Sequence, residues 1–246
     1  MTPPFSPSRR WSSLARQLLL AALLAVVPFG LVACAADQSH LALGCAASAT
    51  PCLAGTAVVE METSKGTVQM SLDGKAAPLT AGNFVDLVKR GTYNGTVFHR
   101  VVREPVPFVV QGGDPASADP KVPASRHGTG NFVDPTTGEA RMIPLELKLA
   151  AEPQPRYGSE ITSPVQSRQL SLSHQRGAVA MARSGDPNSA SAQFYVALEA
   201  LPELDGRYAV FGRVTRGMDV IDAIEQGDRI VKARVIEGGT LVKGQP

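Results

Sequence analysis

Polar and apolar residues alternate along Val58 to Met61 and again along Gly66 to Leu72, with Ser64-Lys65-Gly66 between them. Period-two alternation on either side of a glycine-bearing turn predicts an antiparallel strand pair. At Pro78-Leu79-Thr80 the period changes. Phe84, Leu87 and Val88 fall on one side of a helix that Thr80 is expected to cap and Lys89-Arg90-Gly91 to end. A turn at Tyr93-Asn94-Gly95-Thr96 leads into two β-branched runs, Phe98-His99-Arg100-Val101-Val102 and Phe108-Val109-Val110-Gln111-Gly112-Gly113-Asp114, read as neighbouring strands. Arg103-Glu104-Pro105-Val106-Pro107 between them restricts the backbone and predicts a stiff protrusion. From Pro115 to Met142 the chain is rich in Pro, Gly and Ser and reads as loop, and Ile143 to Leu147 reads as a short edge strand. Leu149 to Arg176, with Pro153, Pro155 and Pro164, has no periodicity that assigns it a role. A closing strand is expected at Ile230–Ile236. A second helix over Met218–Glu225 has Met218, Ile221 and Ile224 on one side.

The chain before Thr56 does not fit that pattern. Arg9, Arg10 and Arg16 precede an apolar run, Leu18 to Val27, and small residues follow, in the order of a signal peptide. The run is short for a membrane span, and Pro28 and Gly30 interrupt it. Leu31-Val32-Ala33-Cys34 resembles the lipobox of bacterial lipoproteins. That resemblance implies that residues 1–33 are removed, that Cys34 carries the lipid, and that the chain is membrane-anchored with its domain in the periplasm or another extracytoplasmic space. Ordinary secretory cleavage near Ala33 or Ala35 is the alternative, and either route exports the protein. Residues 34–55 are small and polar and read as a flexible tether to a domain over 56–240. Cys45 and Cys52 lie in that tether. In an oxidising compartment they either close a loop or remain free thiols, and the sequence leaves both open. No histidine accompanies them, which argues against a metal site.

With 246 residues, 43% hydrophobic and 19% charged, the chain can bury one substantial core. Its formal charge of +2 comes from the leader, since three of its Lys and Arg precede Cys34 and no Asp or Glu does. The remainder is close to neutral and carries no electrostatic footprint for nucleic acid.

Three blocks then identify a family. Phe98-His99-Arg100 with Phe108-Val109-Val110-Gln111-Gly112-Gly113-Asp114 is similar to the signature of the cyclophilins, the barrel-shaped peptidyl-prolyl cis/trans isomerases. Gly177-Ala178-Val179-Ala180-Met181-Ala182 with Ser191-Ala192-Gln193-Phe194-Tyr195-Val196 resembles the family's G-x-[VL]-[AS]-M-A and S-Q-F-[FY]-[IV] strands. Leu204-Asp205-Gly206-Arg207-Tyr208-Ala209-Val210-Phe211-Gly212 resembles its L-D-G-x-[HY]-x-V-F-G. The blocks occur in family order from about Val58 to Ile236. The resemblance implies a mainly β fold, a closed eight-stranded antiparallel barrel with two capping helices. It also implies an enzyme that assists folding by isomerising X-Pro bonds in exported proteins. A non-catalytic proline-peptide-binding chaperone or scaffold on the same fold is the alternative.

That reaction needs neither cofactor nor metal. Amide resonance sets a barrier of about 18–20 kcal/mol, so a catalyst must hold the proline and favour the twisted amide. Residue by residue, the resemblance gives Arg100, Gln111 and Phe108 the catalytic roles. Arg100 would bond the substrate carbonyl and meet the proline nitrogen as it pyramidalises, with a charge that persists at any working pH. Val109, Tyr195 and Leu204 would line the proline pocket with Phe108. Ala182 and Gln193 would contact the preceding residue, and Tyr208 stands at the rim where many members have His. The expected partners are proline-containing polypeptides and, through Cys34, a membrane. Nucleic acid is not expected, and the protein is expected to be a monomer. A hydrolase triad of His99 and Asp114 with a serine is disfavoured, since alternation puts His99 on the face opposite Arg100 and no Gly-x-Ser-x-Gly elbow occurs. His127 and His174 sit in loops at no metal-ligand spacing.

Overall fold

A computed structural model of the chain describes residues 44–45 and 48–243. The signal-like segment and Cys34 lie outside the described residues. Among the described residues no helix is long and apolar enough to cross a membrane.

Strands β1 (Cys52–Thr63) and β2 (Gly66–Asp73) form the expected hairpin, with Thr63 opposite Gly66. Ala57, Val59 and Met61 of β1 and Val68, Met70 and Leu72 of β2 are buried, every second residue. The hairpin begins earlier than the sequence suggests. Cys52 pairs with Val242 and Leu53 with Leu241 at the far end of β10 (Ile230–Val242). The last residues of the supposed tether 34–55 are therefore strand, and the ordered chain runs past 240. A register shift between Ala54 and Ala57 interrupts the alternation there, which hides the strand from a period-two reading.

Helix α1 (Pro78–Lys89) starts with proline in its first turn, where a fixed φ and a missing N–H cost nothing. Thr80 does not cap it. Ala77 holds the cap position without a side-chain bond, and the N–H groups of Leu79 and Thr80 donate to the Glu146 carboxylate at 3.0 and 2.7 Å. Glu146 is buried and also accepts from the Tyr157 hydroxyl at 2.8 Å. Burial pushes its carboxyl group up, against those hydrogen bonds. A carboxylate from 66 residues away thus closes the helix start that a local hydroxyl was expected to close. Phe84 on α1 meets Tyr93, Phe194 and Phe211 with ring centroids 4.9 to 5.2 Å apart, at the centre of the main core.

The remaining strands are β3 (Arg100–Val102), β4 (Val109–Gly112), β5 (Glu146–Leu147), β6 (Arg156–Tyr157), β7 (Ala178–Met181), β8 (Phe194–Ala197) and β9 (Val210–Arg216). Among the described residues, eight of the ten strands make one antiparallel sheet in the order β10-β1-β2-β9-β7-β8-β4-β3. The fold is mainly β, as expected, but no ladder joins the two end strands. The segments just before them meet instead, through one bridge between Val97 and Arg229 and four backbone hydrogen bonds of 2.7 to 3.0 Å that join Gly95, Thr96 and Phe98 to Gly227, Asp228 and Ile230. With β3 only three residues long before the proline-rich break, little strand remains to extend that contact.

Besides α1, the described residues hold α3 (Met218–Ala223), the second expected helix, and a single turn, α2 (Pro164–Ser167). The latter belongs to the unassigned 149–176 stretch, which packs outside the sheet. There β5 pairs with β6, and Leu145, Leu147, Leu149 and Ile161 share a small apolar cluster with Ala209. Cys45 and Cys52 are joined, with sulfurs 2.10 Å apart, so residue 45 is tied to the first residue of β1.

Candidate active site

The sheet register draws three of the expected residues into one row. Arg100 on β3 pairs with Gln111 on β4, and Gln111 pairs with Tyr195 on β8. Directly opposed residues share a sheet face, so the three side chains stand side by side. The intervening Val101, Val110 and Val196 pack in or against the main core on the other face. Arg100 Nη1 lies 3.4 Å from Gln111 Oε1, and its guanidinium sits 5.6 Å from the centre of the Phe108 ring. Phe108 and Val109 precede Gln111, and Gly112-Gly113 follow it. Gly113 has φ +84°, and a side chain there would meet Phe194 and the Ala192 carbonyl. Only glycine lets β4 turn away so close to β8.

A cavity of about 240 Å³ opens beside this row. Arg100, Phe108, Val109, Gln111, Ala182, Tyr195, Leu204 and Tyr208 line it, and Arg183 joins them. Its floor rests on an outer apolar cluster that includes Val109, Ala180, Tyr195, Leu201 and Val210. Gln193 lines an adjoining opening of about 340 Å³ that shares Gln111, Ala182 and Arg183 with the first. The Gln193 amide donates to the carbonyls of Gly128 and Gly130 at 3.0 and 2.9 Å and accepts from Gln111 at 3.3 Å. From the other side, the buried Asp114 carboxylate accepts from the N–H groups of Ala116, Gly128 and Gly130. Gln193 is thereby held as part of a loop clamp as well as facing the opening.

That use of Asp114 bears on hydrolase chemistry. Its oxygens serve backbone donors, and neither ring nitrogen of His99 has a hydrogen-bond partner among the described residues. Burial holds the His99 imidazole below its ordinary range, against the pull of Asp114. Nothing here activates a serine. The arrangement offers a fixed cation, amide donors and a rigid apolar recess. Such a site can orient a peptide and stabilise a twisted amide, and it contains no nucleophile paired with a base.

Two residues at the site had no signal of their own in the sequence. Arg183 lies 4.8 Å from the centre of the Tyr208 ring, donates to the Arg207 carbonyl and pairs with Glu160 from the 149–176 stretch. His174, at the end of that stretch, is buried beneath the floor and bonds Tyr195 and Asp205. The Tyr195 hydroxyl was the one clue, because a buried phenol needs a partner.

The match of a family model for cyclophilin-type peptidyl-prolyl cis-trans isomerases covers residues 58–243. A Synechocystis protein named as a thylakoid lumen peptidyl-prolyl cis-trans isomerase is 40% identical over 205 residues, 79% of this chain and 51% of that protein. The chain thus spans about half the length of that relative. A Helicobacter pylori peptidyl-prolyl cis-trans isomerase is 36% identical over 180 residues, 72% of this chain and 86% of its own length. In structure, the chain is similar to a Cryptosporidium parvum cyclophilin-type isomerase crystallised in the presence of the dipeptide Ala-Pro. The TM-score is 0.53 at 22% identity, covering 74% of this chain and 99% of the other.

Proposed function

Because this chain belongs to the cyclophilin-type peptidyl-prolyl cis-trans isomerase family, we propose that it accelerates cis/trans interconversion of X-Pro bonds in exported proteins. The observation that carries the reading is Arg100 at the mouth of the 240 Å³ cavity, over Phe108 and beside Gln111.

In this mechanism the proline ring enters the recess formed by Phe108, Val109, Tyr195 and Leu204, with Tyr208 closing the rim. Ala182 and Gln193 contact the preceding residue. Arg100 donates to the substrate carbonyl and approaches the proline nitrogen as its lone pair leaves conjugation. Its fork of donors stabilises the twisted amide more than the planar one. Gln111 keeps Arg100 and the substrate backbone in register. Each tenfold in rate requires about 1.4 kcal/mol of such preference, which a few charge-assisted hydrogen bonds in a dry recess can supply. We read the approach of the sheet's ends at Val97 and Arg229 as the seam of a barrel that keeps this face rigid.

The leader pattern and the Leu-Val-Ala-Cys motif support export and lipid attachment at Cys34, and the thylakoid lumen name of the Synechocystis relative agrees with an extracytoplasmic place. The protein acts there as an anchored monomer on proline-containing polypeptides. One preparation tests both parts. Full-length protein expressed in a bacterium should fractionate with membranes, show acylated Cys34 by mass spectrometry, and speed a coupled X-Pro isomerisation assay. A folded protein without turnover would defeat the enzyme reading, and an unmodified mature N-terminus at or near Ala35 would defeat the anchor.

A further inference from the structure

The floor of the recess is a tyrosine whose hydroxyl is turned away from the cavity and toward a histidine. His174 Nε2 lies 2.9 Å from Tyr195 Oη, with the two rings nearly parallel at 13°. The other ring nitrogen, Nδ1, lies 2.7 Å from Asp205 Oδ1, and the same carboxylate oxygen accepts from the His174 backbone N–H at 2.8 Å. Asp205 directly follows Leu204 on the loop that carries the pocket rim to Tyr208. The His174 carbonyl accepts from Leu201 N at 2.8 Å, at the start of that loop. One buried residue therefore joins the floor strand to the rim loop through four hydrogen bonds. The rest of the 149–176 stretch reaches the same loop. Ile161 N donates to Gly206 O at 2.9 Å, and Glu160 pairs with Arg183, which stacks on Tyr208.

We propose that His174 is a positioning residue for the proline recess, holding the Tyr195 ring and the Leu204–Tyr208 rim at the spacing the substrate requires. The proposal rests on the isomerase reading for its substrate. It also gives the 149–176 stretch a purpose: it is the scaffold that carries His174, Glu160 and Ile161 to the rim. The carboxylate at Nδ1 fixes the tautomer, with Nδ1–H donating to Asp205 and bare Nε2 accepting the Tyr195 proton. Positioning of this kind acts on the bound planar and twisted amide alike, so its loss raises KM more than it lowers kcat.

The tautomer predicts a pH effect. Protonation would put a hydrogen on Nε2 and reverse the bond to Tyr195, whose hydroxyl would then have to donate elsewhere. Burial holds the His174 imidazole below its ordinary value, while Asp205 and Glu203 pull the other way. On the Tyr195 side stand Tyr208 and the Arg183 cation, and burial raises the Tyr195 phenol, so it stays protonated. KM should therefore rise as pH falls below the ordinary histidine range.

The test compares Tyr195→Phe, His174→Asn and the double variant with wild type. Asparagine can still reach Asp205 but cannot accept from Tyr195. Each single change should raise KM for an X-Pro peptide about three- to tenfold, the worth of one buried hydrogen bond, with kcat within about twofold. The double variant should be no worse than either single, since both remove the same bond. His174→Gln, whose amide oxygen can accept from Tyr195, should recover most of the loss. The acid-side rise of KM should vanish in Tyr195→Phe. Unchanged KM in an active Tyr195→Phe protein, or additive losses in the double variant, would overturn the proposal. Tyr195→Phe keeps the ring and decides the matter even where His174→Asn fails to fold. A wild type that does not turn over would sink the isomerase reading alone. The tie would then be judged on the Kd of the same peptide, by the same criteria.

Discussion

Arg100, Phe108 and Gln111 are set by β3 and β4, where backbone ladders fix which side chains stand together. Across the recess, Leu204 and Tyr208 stand on a loop outside the sheet, held by His174, Glu160 and Ile161 from the outer stretch. One wall is positioned by strand register and the other by polar ties between segments distant in sequence. Register is cooperative and tolerant of single side-chain changes, whereas a tie fails when one partner is lost. The first wall should therefore lose chemistry without losing structure when mutated, and the second should lose structure or affinity first.

The largest effect expected from this contrast is on the register wall. Arg100 is exposed, and its side chain supports no core packing. Arg100→Ala should lower kcat/KM about a hundredfold, equivalent to about 2.7 kcal/mol of transition-state stabilisation, and leave the unfolding midpoint nearly unchanged. Equal turnover by the variant and wild type in the coupled assay would remove Arg100 from the mechanism.

The contrast reverses at the anchor of the outer stretch. Glu146 closes the start of α1 and holds Tyr157 of β6, and it does not line the recess. Glu146→Ala strands two helix N–H groups and a phenol in the interior, so stability should fall by about 2–3 kcal/mol. At a temperature where the variant remains folded, kcat should stay within about twofold of wild type. Denaturant unfolding and the same assay check both parts. A stable variant would mean that water replaces the carboxylate. A folded but inactive one would mean that the outer stretch supports chemistry more directly than its ties suggest.

The same division decides what could be read before the fold was known. The β1–β2 hairpin, α1 and the Arg100–Gln111 wall were legible because period-two and helical patterns report burial directly, and the family blocks fall on them. Thr80 was misread as a cap because the actual cap comes from Glu146, a contact no local window contains. The first residues of β1 read as tether because a register shift between Ala54 and Ala57 breaks the alternation there. His174 and Glu160 were invisible for the same reason as Glu146. Their meaning lies in partners 21 to 31 residues away, and a loop histidine has no periodicity to betray it.

The smallest effect concerns the histidine each wall keeps beside it. Among the described residues, His99, next to Arg100, has no hydrogen-bond partner at either ring nitrogen, whereas His174 has one at both. Burial lowers both below the ordinary value of 6.5, so the unfolded chain binds protons that the folded chain refuses. Stability from this source is complete above pH 6.5 and is lost as pH falls through each depressed folded value. Asp205, bonded directly to Nδ1, and Glu203 partly support a charged His174, whereas at His99 the Asp114 carboxylate pulls the same way without bonding the ring. His99 should therefore carry more of the acid sensitivity. Denaturant midpoints at pH 7.5 and 5.5 should differ in wild type, and His99→Leu should narrow the gap more than His174→Asn does. The reverse order would place the proton-sensitive burial on the tied wall and make the outer stretch the first part of the molecule to yield to acid.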